Sequence, residues 1–146
     1  MISVSDFMTK DLVTLRESDD LALAESLLKL GGVRHLPVVR ERKLVGILTH
    51  RDVLRSEQWG RPAARELPVS DVMTPTPTSV RPATGLAQAA RLMLERKYGC
   101  LPVCEDDGTL VGIVTEADFV RFAADVVRDL DLMADAVKAR EQTGDA

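Results

Sequence analysis

Two copies of one short pattern hold the residues best suited to chemistry: Gly46-Ile47-Leu48-Thr49 with Asp52, and Gly112-Ile113-Val114-Thr115 with Asp118. A carboxylate has two acceptor oxygens, so it can take both hydroxyls of a ribose cis-diol. A threonine at a strand-to-helix junction places a hydroxyl and free backbone amides where a phosphate or ribose oxygen can be received. The glycine leaves room for a ligand or another backbone to approach closely. Thr-x-x-Asp before an apolar helical run is equally a capping box, with the threonine as N-cap and the aspartate at N3. A single copy is more often a cap than a site. Two copies, each following a Leu-Pro-Val strand, make the binding reading far more specific.

The elements that position these residues repeat as well. Val4-Ser5-Asp6-Phe7-Met8-Thr9 returns as Val69-Ser70-Asp71-Val72-Met73-Thr74, and His35-Leu36-Pro37-Val38-Val39 returns as Cys100-Leu101-Pro102-Val103-Cys104. An internal duplication implies two similar units related by a pseudo-two-fold axis, with ligands where the halves meet. In the first copy, Leu12-Val13-Thr14-Leu15 reads as a short strand. Glu17 to Asp20 then caps a leucine-rich helix that Gly31-Gly32 ends. Strands at 36–40 and 44–48 flank a tight Glu41-Arg42-Lys43 turn, and a second helix begins near His50. The second copy repeats the order: strand near 78–80, helix from about Thr84 to Arg96, strands at 101–104 and 110–114. Its extra residue falls in the Asp106-Asp107-Gly108-Thr109 turn. The expected fold class is therefore α/β (α+β), two βαββα units in tandem plus an extended C-terminal helix. The boundaries are 1–57 for the first unit, 58–68 for a Gly/Pro-containing linker, 69–124 for the second unit and 125–146 for the helical extension and tail.

That extension runs from Glu116 to about Arg140 without glycine or proline. Phe119, Phe122, Val126, Leu130, Met133 and Val137 draw an apolar stripe at helical period. The stripe either lies back on its own domain or packs against a second subunit, with self-association slightly favoured.

Composition narrows the functional classes. The chain has 146 residues, is 45% hydrophobic and 29% charged, and carries a net charge of −4, the profile of a globular domain. Each copy, ~55 residues, buries too little apolar surface to stand comfortably alone. No apolar run approaches the ~20 residues that span a bilayer, and no secretory signal is visible. The acidic balance argues against nucleic-acid binding, which draws on cationic neutralisation of phosphates. Two cysteines are too few for a disulfide framework or a four-ligand metal site. A cytoplasmic, reducing location is the expectation. No nucleophile elbow, Walker loop, His-Glu-x-x-His or Gly-x-Gly-x-x-Gly occurs, so catalysis is not expected and no metal or required cofactor is assigned.

Met-Thr, a helix, Leu-Pro-Val, then Gly-Ile-Leu/Val-Thr-x-x-Asp resembles the pattern of cystathionine-β-synthase (CBS) domains, and two in tandem look like a Bateman module. The resemblance covers about residues 1–125. It implies two quasi-equivalent clefts that bind adenosine-containing ligands such as AMP, ADP, ATP or S-adenosylmethionine as regulators, and modules that dimerise. In the family each cleft joins the Thr/Asp end of one copy to the first strand and pre-proline segment of the other. Carried over, one cleft takes Ile113, Thr115 and Asp118 with Thr9, Val13, Thr14, Val33, Arg34, His35 and Pro37. Adenine would lie among Val13, Val33 and Ile113, Asp118 would hold ribose, and Thr115, Arg34 and His35 would face phosphate. The other takes Ile47, Thr49 and Asp52 with Thr74, Thr78, Tyr98, Gly99, Cys100 and Pro102. Gly99 and Cys100 replace Arg34 and His35 there, so the first cleft is expected to bind a phosphorylated adenosine better. Arg51 or Lys97 are the cations that could compensate in the second.

The remaining residues have plainer readings. His35 is as readily a hydrogen-bonded structural histidine, His50 a solvated one, and Tyr98 a core-edge aromatic. Cys100 and Cys104 read as two buried thiols, and Trp59 as a residue packed on a surface groove. The expectation is a ligand sensor that passes occupancy to an effector protein or through a homodimer, and the alternative is an unliganded structural or oligomerisation module.

Overall fold

The computed structural model describes residues 1–58 and 64–144. Trp59 and residues 60–63 of the expected linker lie outside the described residues. The chain forms two compact units, Met1–Val114 and Thr115–Ala146.

In the first unit, helix α1 spans Leu21–Gly31. Asp20 caps it by accepting from the Leu23 amide at 2.8 Å. Gly32, at φ 59°, ends it in the left-handed region where glycine carries no Cβ penalty. Leu21, Ala24 and Leu28 are its buried face. Strands β1 (His35–Arg40) and β2 (Lys43–Thr49) form an antiparallel hairpin pairing His35 with Thr49 and Pro37 with Ile47. Its turn is only Glu41-Arg42, both at positive φ (49° and 70°), the twist two-residue hairpins require. Helix α2, His50–Gln58, follows directly.

The second copy supplies β3 (Thr74–Pro75), α3 (Leu86–Arg96), β4 (Cys100–Cys104) and β5 (Leu110–Thr115). One sheet has the order β1-β2-β3, and β4-β5 form a second. Leu36, Pro37 and Val38 are buried consecutively, as are Leu101 to Cys104. Such strands are covered on both faces. The core gathers Leu15, Leu21, Ala24, Leu28, Leu36, Val38, Leu48, Val53 and Val69.

One sequence expectation changes. The strands read at 12–15 and 78–80 are single parallel bridges, Leu15 to Val38 and Val80 to Val103. Leu15 donates to the Pro37 carbonyl and accepts from Val39, both at 2.9 Å. Val80 does the same with Pro102 (3.0 Å) and Cys104 (2.8 Å). Only the one residue per copy that makes both bonds is buried; Val13 is 44% exposed.

Each copy's opening segment docks on the other copy. The Val4 amide donates to Thr84 (2.8 Å), Leu86 to Ile2 (2.9 Å), and Thr9 and Ile113 bond in both directions (2.9 and 3.0 Å). Symmetrically, Val69 donates to Asp19 (2.7 Å), Leu21 to Leu67 (3.1 Å), and Thr74 pairs with Ile47. The exchange ties both copies into one backbone network and makes their pairing part of folding itself.

The second unit is helix α4, Glu116–Thr143, N-capped by Thr115 and closed by Gly144 at φ 73°. Phe119 and Phe122 are half-buried, whereas Leu130, Met133 and Val137 are 57%, 65% and 55% exposed. No described helix is long and apolar enough to cross a membrane.

Candidate functional site

The repeated glycines do not open space for a ligand. A Cβ at Gly46 would collide with Met73, whose Cγ and Cε would lie 3.0 and 3.1 Å away, and one at Gly112 would collide with Met8. The methionine of each Met-Thr pair thus fills the notch above the other copy's last strand. This corrects the ligand-space reading of both glycines: a thioether occupies the room.

The Thr-x-x-Asp segments form capping boxes in both copies. The Thr49 amide donates to Asp52 Oδ2 at 2.9 Å, and the Asp52 amide to Thr49 Oγ1 at 3.1 Å. Within the second unit, the Thr115 amide donates to Asp118 Oδ2 at 2.8 Å and the Thr115 hydroxyl does so at 3.2 Å. The His50 amide donates to the Arg34 carbonyl at 2.9 Å. Of the junction amides, those of Thr49, His50, Asp52 and Thr115 already have acceptors within the protein. Asp118 is buried and its Oδ1 takes the Arg121 guanidinium at 2.5 Å. Sequence reading missed Arg121; its position one turn after Asp118 is the signal that pointed to it.

Of the residues assigned to the second cleft, most come together. Ile47 sits opposite Thr74, and Thr49 opposite His35. A Cβ on Gly99 would lie 2.8 Å from His35 Nε2, so this residue is small because an imidazole rests on it. Thr78 Oγ1 and Tyr98 Oη are hydrogen-bonded at 3.0 Å. Cys100 is half-buried and Cys104 buried. Burial pushes the Cys100 thiol up to about 12. It raises Cys104 as well, against a hydrogen bond from Ser79. Both thiols are neutral and poor nucleophiles. Pro102 is fully buried, as is Pro37, so both prolines belong to the core.

Among the first-unit residues assigned to the other cleft, Val33 and Arg34 line a cleft of about 240 Å³ with Leu28, Lys29, Gly32 and His50. Lys29 adds positive charge beside Arg34 that the sequence reading did not credit, and His50 lines the same cleft. Nearby Glu25 accepts from Lys29 Nζ at 2.9 Å, and that bond first, then the charges of Lys29, Arg65 and His50, holds its carboxyl below the usual range. Thr9 is backbone-paired with Ile113, and Val13 and Thr14 are exposed beside the buried Leu15. Among the described residues no group of three or more His, Cys, Asp or Glu side chains could hold a metal ion.

A duplicated β-β-α framework with a capped Thr-x-x-Asp after each hairpin defines a tandem module. The CBS domain family matches residues 4–58 and 69–125, and the chain belongs to that family. It is 38% identical over 119 residues to the CBS domain-containing protein YhcV of Bacillus subtilis, covering 81% of this chain and 83% of that one. Of solved structures, CBSX2 in complex with AMP is 37% identical with TM-score 0.78, covering 86% of this chain and 98% of that one. The CBS domain pair of protein MJ0100, with 5′-methylthioadenosine and S-adenosyl-L-methionine, is 26% identical with TM-score 0.75, covering 83% and 98%. The chain also matches an inosine-5′-monophosphate dehydrogenase of Korarchaeum cryptofilum at 37% identity, but spans only 22% of that enzyme's length.

Proposed function

We propose that this protein is a regulatory module that binds adenosine-containing ligands and relays their occupancy to an effector protein or through a homodimer, in the cytoplasm and without catalysis of its own. The observation that carries the reading is the assembly around Asp52. Residues distant in sequence, Ile47, Thr49, Thr74, Thr78, Tyr98 and Gly99, are joined into one neighbourhood by strand register, a side-chain hydrogen bond and the His35 contact. Asp52 is suited to a ribose diol. Asp118 is proposed for the same role from the equivalence of its motif. Arg34, with Lys29 and His50 beside it, is proposed to hold phosphate, since a guanidinium donates in pairs to such oxygens. AMP in CBSX2 and the two adenosine sulfur compounds in the MJ0100 pair support the ligand class.

Calorimetric titration with AMP, ATP and S-adenosylmethionine tests this, beside Asp52→Ala and Asp118→Ala. Saturable binding weakened by either substitution is the expected result. A folded protein that binds none of them supports the second reading, an oligomerisation module. That reading is favoured by the exposed stripe on α4 and by the two aspartates' service as helix caps.

A further inference from the structure

Helix α4 carries more apolar surface than the chain covers. Every residue from Ala123 to Gly144 is exposed, among them Val126, Val127, Leu130, Leu132, Met133 and Val137. A lone helix is marginal in water, and valine forms helix less readily than alanine or leucine. A contiguous apolar stripe of this length marks a surface for association. Its spacing shows what kind of surface covers it. Phe119, Ala123, Val126, Leu130, Met133, Val137 and Arg140 follow at intervals of 4, 3, 4, 3, 4 and 3 residues. That is the 3.5-residue repeat of a helix-to-helix seam, in which Ala123, Leu130 and Val137 alternate with Val126, Met133 and Arg140.

The seam complements itself in one direction only. Paired antiparallel about the midpoint between Asp131 and Leu132, Leu130 meets the partner's Met133, Val126 meets the partner's Val137, and Ala123 meets the partner's Arg140. Large and small side chains then alternate across the seam. The arginine lays its aliphatic stem over the alanine and keeps its guanidinium in water. Paired parallel and in register, Ala123 would face Ala123 across a gap, and Arg140 would face Arg140, two like charges in one layer. The charges along the helix share this preference. Asp125, Asp129, Asp131 and Asp135 outnumber Arg128 in its middle, whereas Lys138 and Arg140 lie toward its end. Arg128 already sits 3.7 Å from both Asp125 and Asp129. An antiparallel partner brings Lys138 level with Asp125, while a parallel one stacks the acidic stretch on itself.

We propose that α4 is a dimerisation helix that pairs antiparallel with α4 of a second copy of this chain through residues 123–140. This rests on the homodimer route of the reading above and adds which surface and which orientation that dimer uses. It is independent of which ligand the chain takes.

The test uses the full chain. Val126→Cys and Val137→Cys proteins are mixed, left to exchange and mildly oxidised, with the wild type as control for Cys100 and Cys104. Antiparallel pairing puts the two introduced thiols in one layer and holds like thiols about 16 Å apart along the axis, beyond the reach of a disulfide. The mixed disulfide is expected to exceed the two homodisulfides together by about threefold or more. Sedimentation equilibrium is expected to show a dimeric wild type, weakened by about tenfold or more in Leu130→Asp, which puts a charge into the seam. Circular dichroism checks that the variants fold. A lower ratio, or no mixed disulfide, overturns the antiparallel pairing. A dimer that Leu130→Asp leaves unchanged places the interface elsewhere and overturns the proposal. A monomeric wild type overturns both the proposal and the homodimer route, while titration of the same sample with AMP decides ligand binding separately.

Discussion

Gly46→Ala probes the exchanged methionines directly. The new Cβ would sit on Met73, within 3.0 Å of Cγ and 3.1 Å of Cε as well as against the sulfur, so the whole end of the side chain has to leave. Met73 is half-buried and packs against the core cluster. Fully burying a methionine stabilises by about 1.5–3 kcal/mol, so expelling this one costs about 1–2 kcal/mol, within the usual range for overpacking. That corresponds to a fall in Tm of about 3–8 °C. Urea unfolding of Gly46→Ala, Met73→Ala and the double variant forms the assay. Because the alanine methyl and the thioether compete for one space, the double variant should be less destabilised than the sum of the singles by about 1 kcal/mol. A neutral Gly46→Ala, or strict additivity, would refute the claim that this glycine exists to seat Met73.

Other consequences can be checked alongside. Cys100 and Cys104 should resist alkylation at pH 8 in the folded protein and react once urea unfolds it; rapid native labelling would contradict their burial. The Cys100 thiol titrates near 9 when unfolded and about 12 when folded, so stability is full below pH 9 and declines from there toward pH 12. Cys100→Ser, whose hydroxyl does not titrate there, should flatten that alkaline limb in unfolding measurements. Glu25 has the opposite sign: its lowered value contributes stability above the ordinary carboxylate range that is lost as pH falls through it. Glu25→Gln should therefore cost about 0.3–0.5 kcal/mol at pH 7 and nothing at pH 3. Removing residues 126–146 should convert a dimer to a monomer in sedimentation, and an unchanged mass would disconnect the α4 stripe from self-association.

Much of this architecture was legible because the sequence repeats. The hairpin at 35–49, its counterpart at 100–115, and all four helices fall where apolar period, caps and turns put them. The opening strands were not, because a short β-branched run looks the same whether it forms a ladder or contributes one bridging residue such as Leu15. The exchange of Val4–Thr9 and Val69–Thr74 between copies is long-range and leaves no local periodicity. The same is true of Met8 and Met73: a glycine beside a strand end signals close approach, but what approaches is set by tertiary folding. At the site, residue types were readable while their commitments were not. Nothing in Thr-x-x-Asp tells whether the remaining carboxylate oxygen is open, as at Asp52, or bonded to an arginine, as at Asp118.

The capping boxes need not compete with ligand recognition. A cap uses the backbone amide of the threonine and a single aspartate oxygen, and in doing so fixes the rotamer of a short side chain at a helix start. A carboxylate already immobilised loses little further entropy when a diol arrives. At Asp52 the cap thus pre-orients the oxygen it leaves open. At Asp118 the ion pair to an exposed arginine must first be released or bridged. A ligand with a phosphate can accept that arginine in exchange, whereas a neutral one cannot. On the proposed ligand-binding reading, the differences at Arg34/Gly99 and His35/Cys100 give the two copies different side chains at equivalent positions of one scaffold.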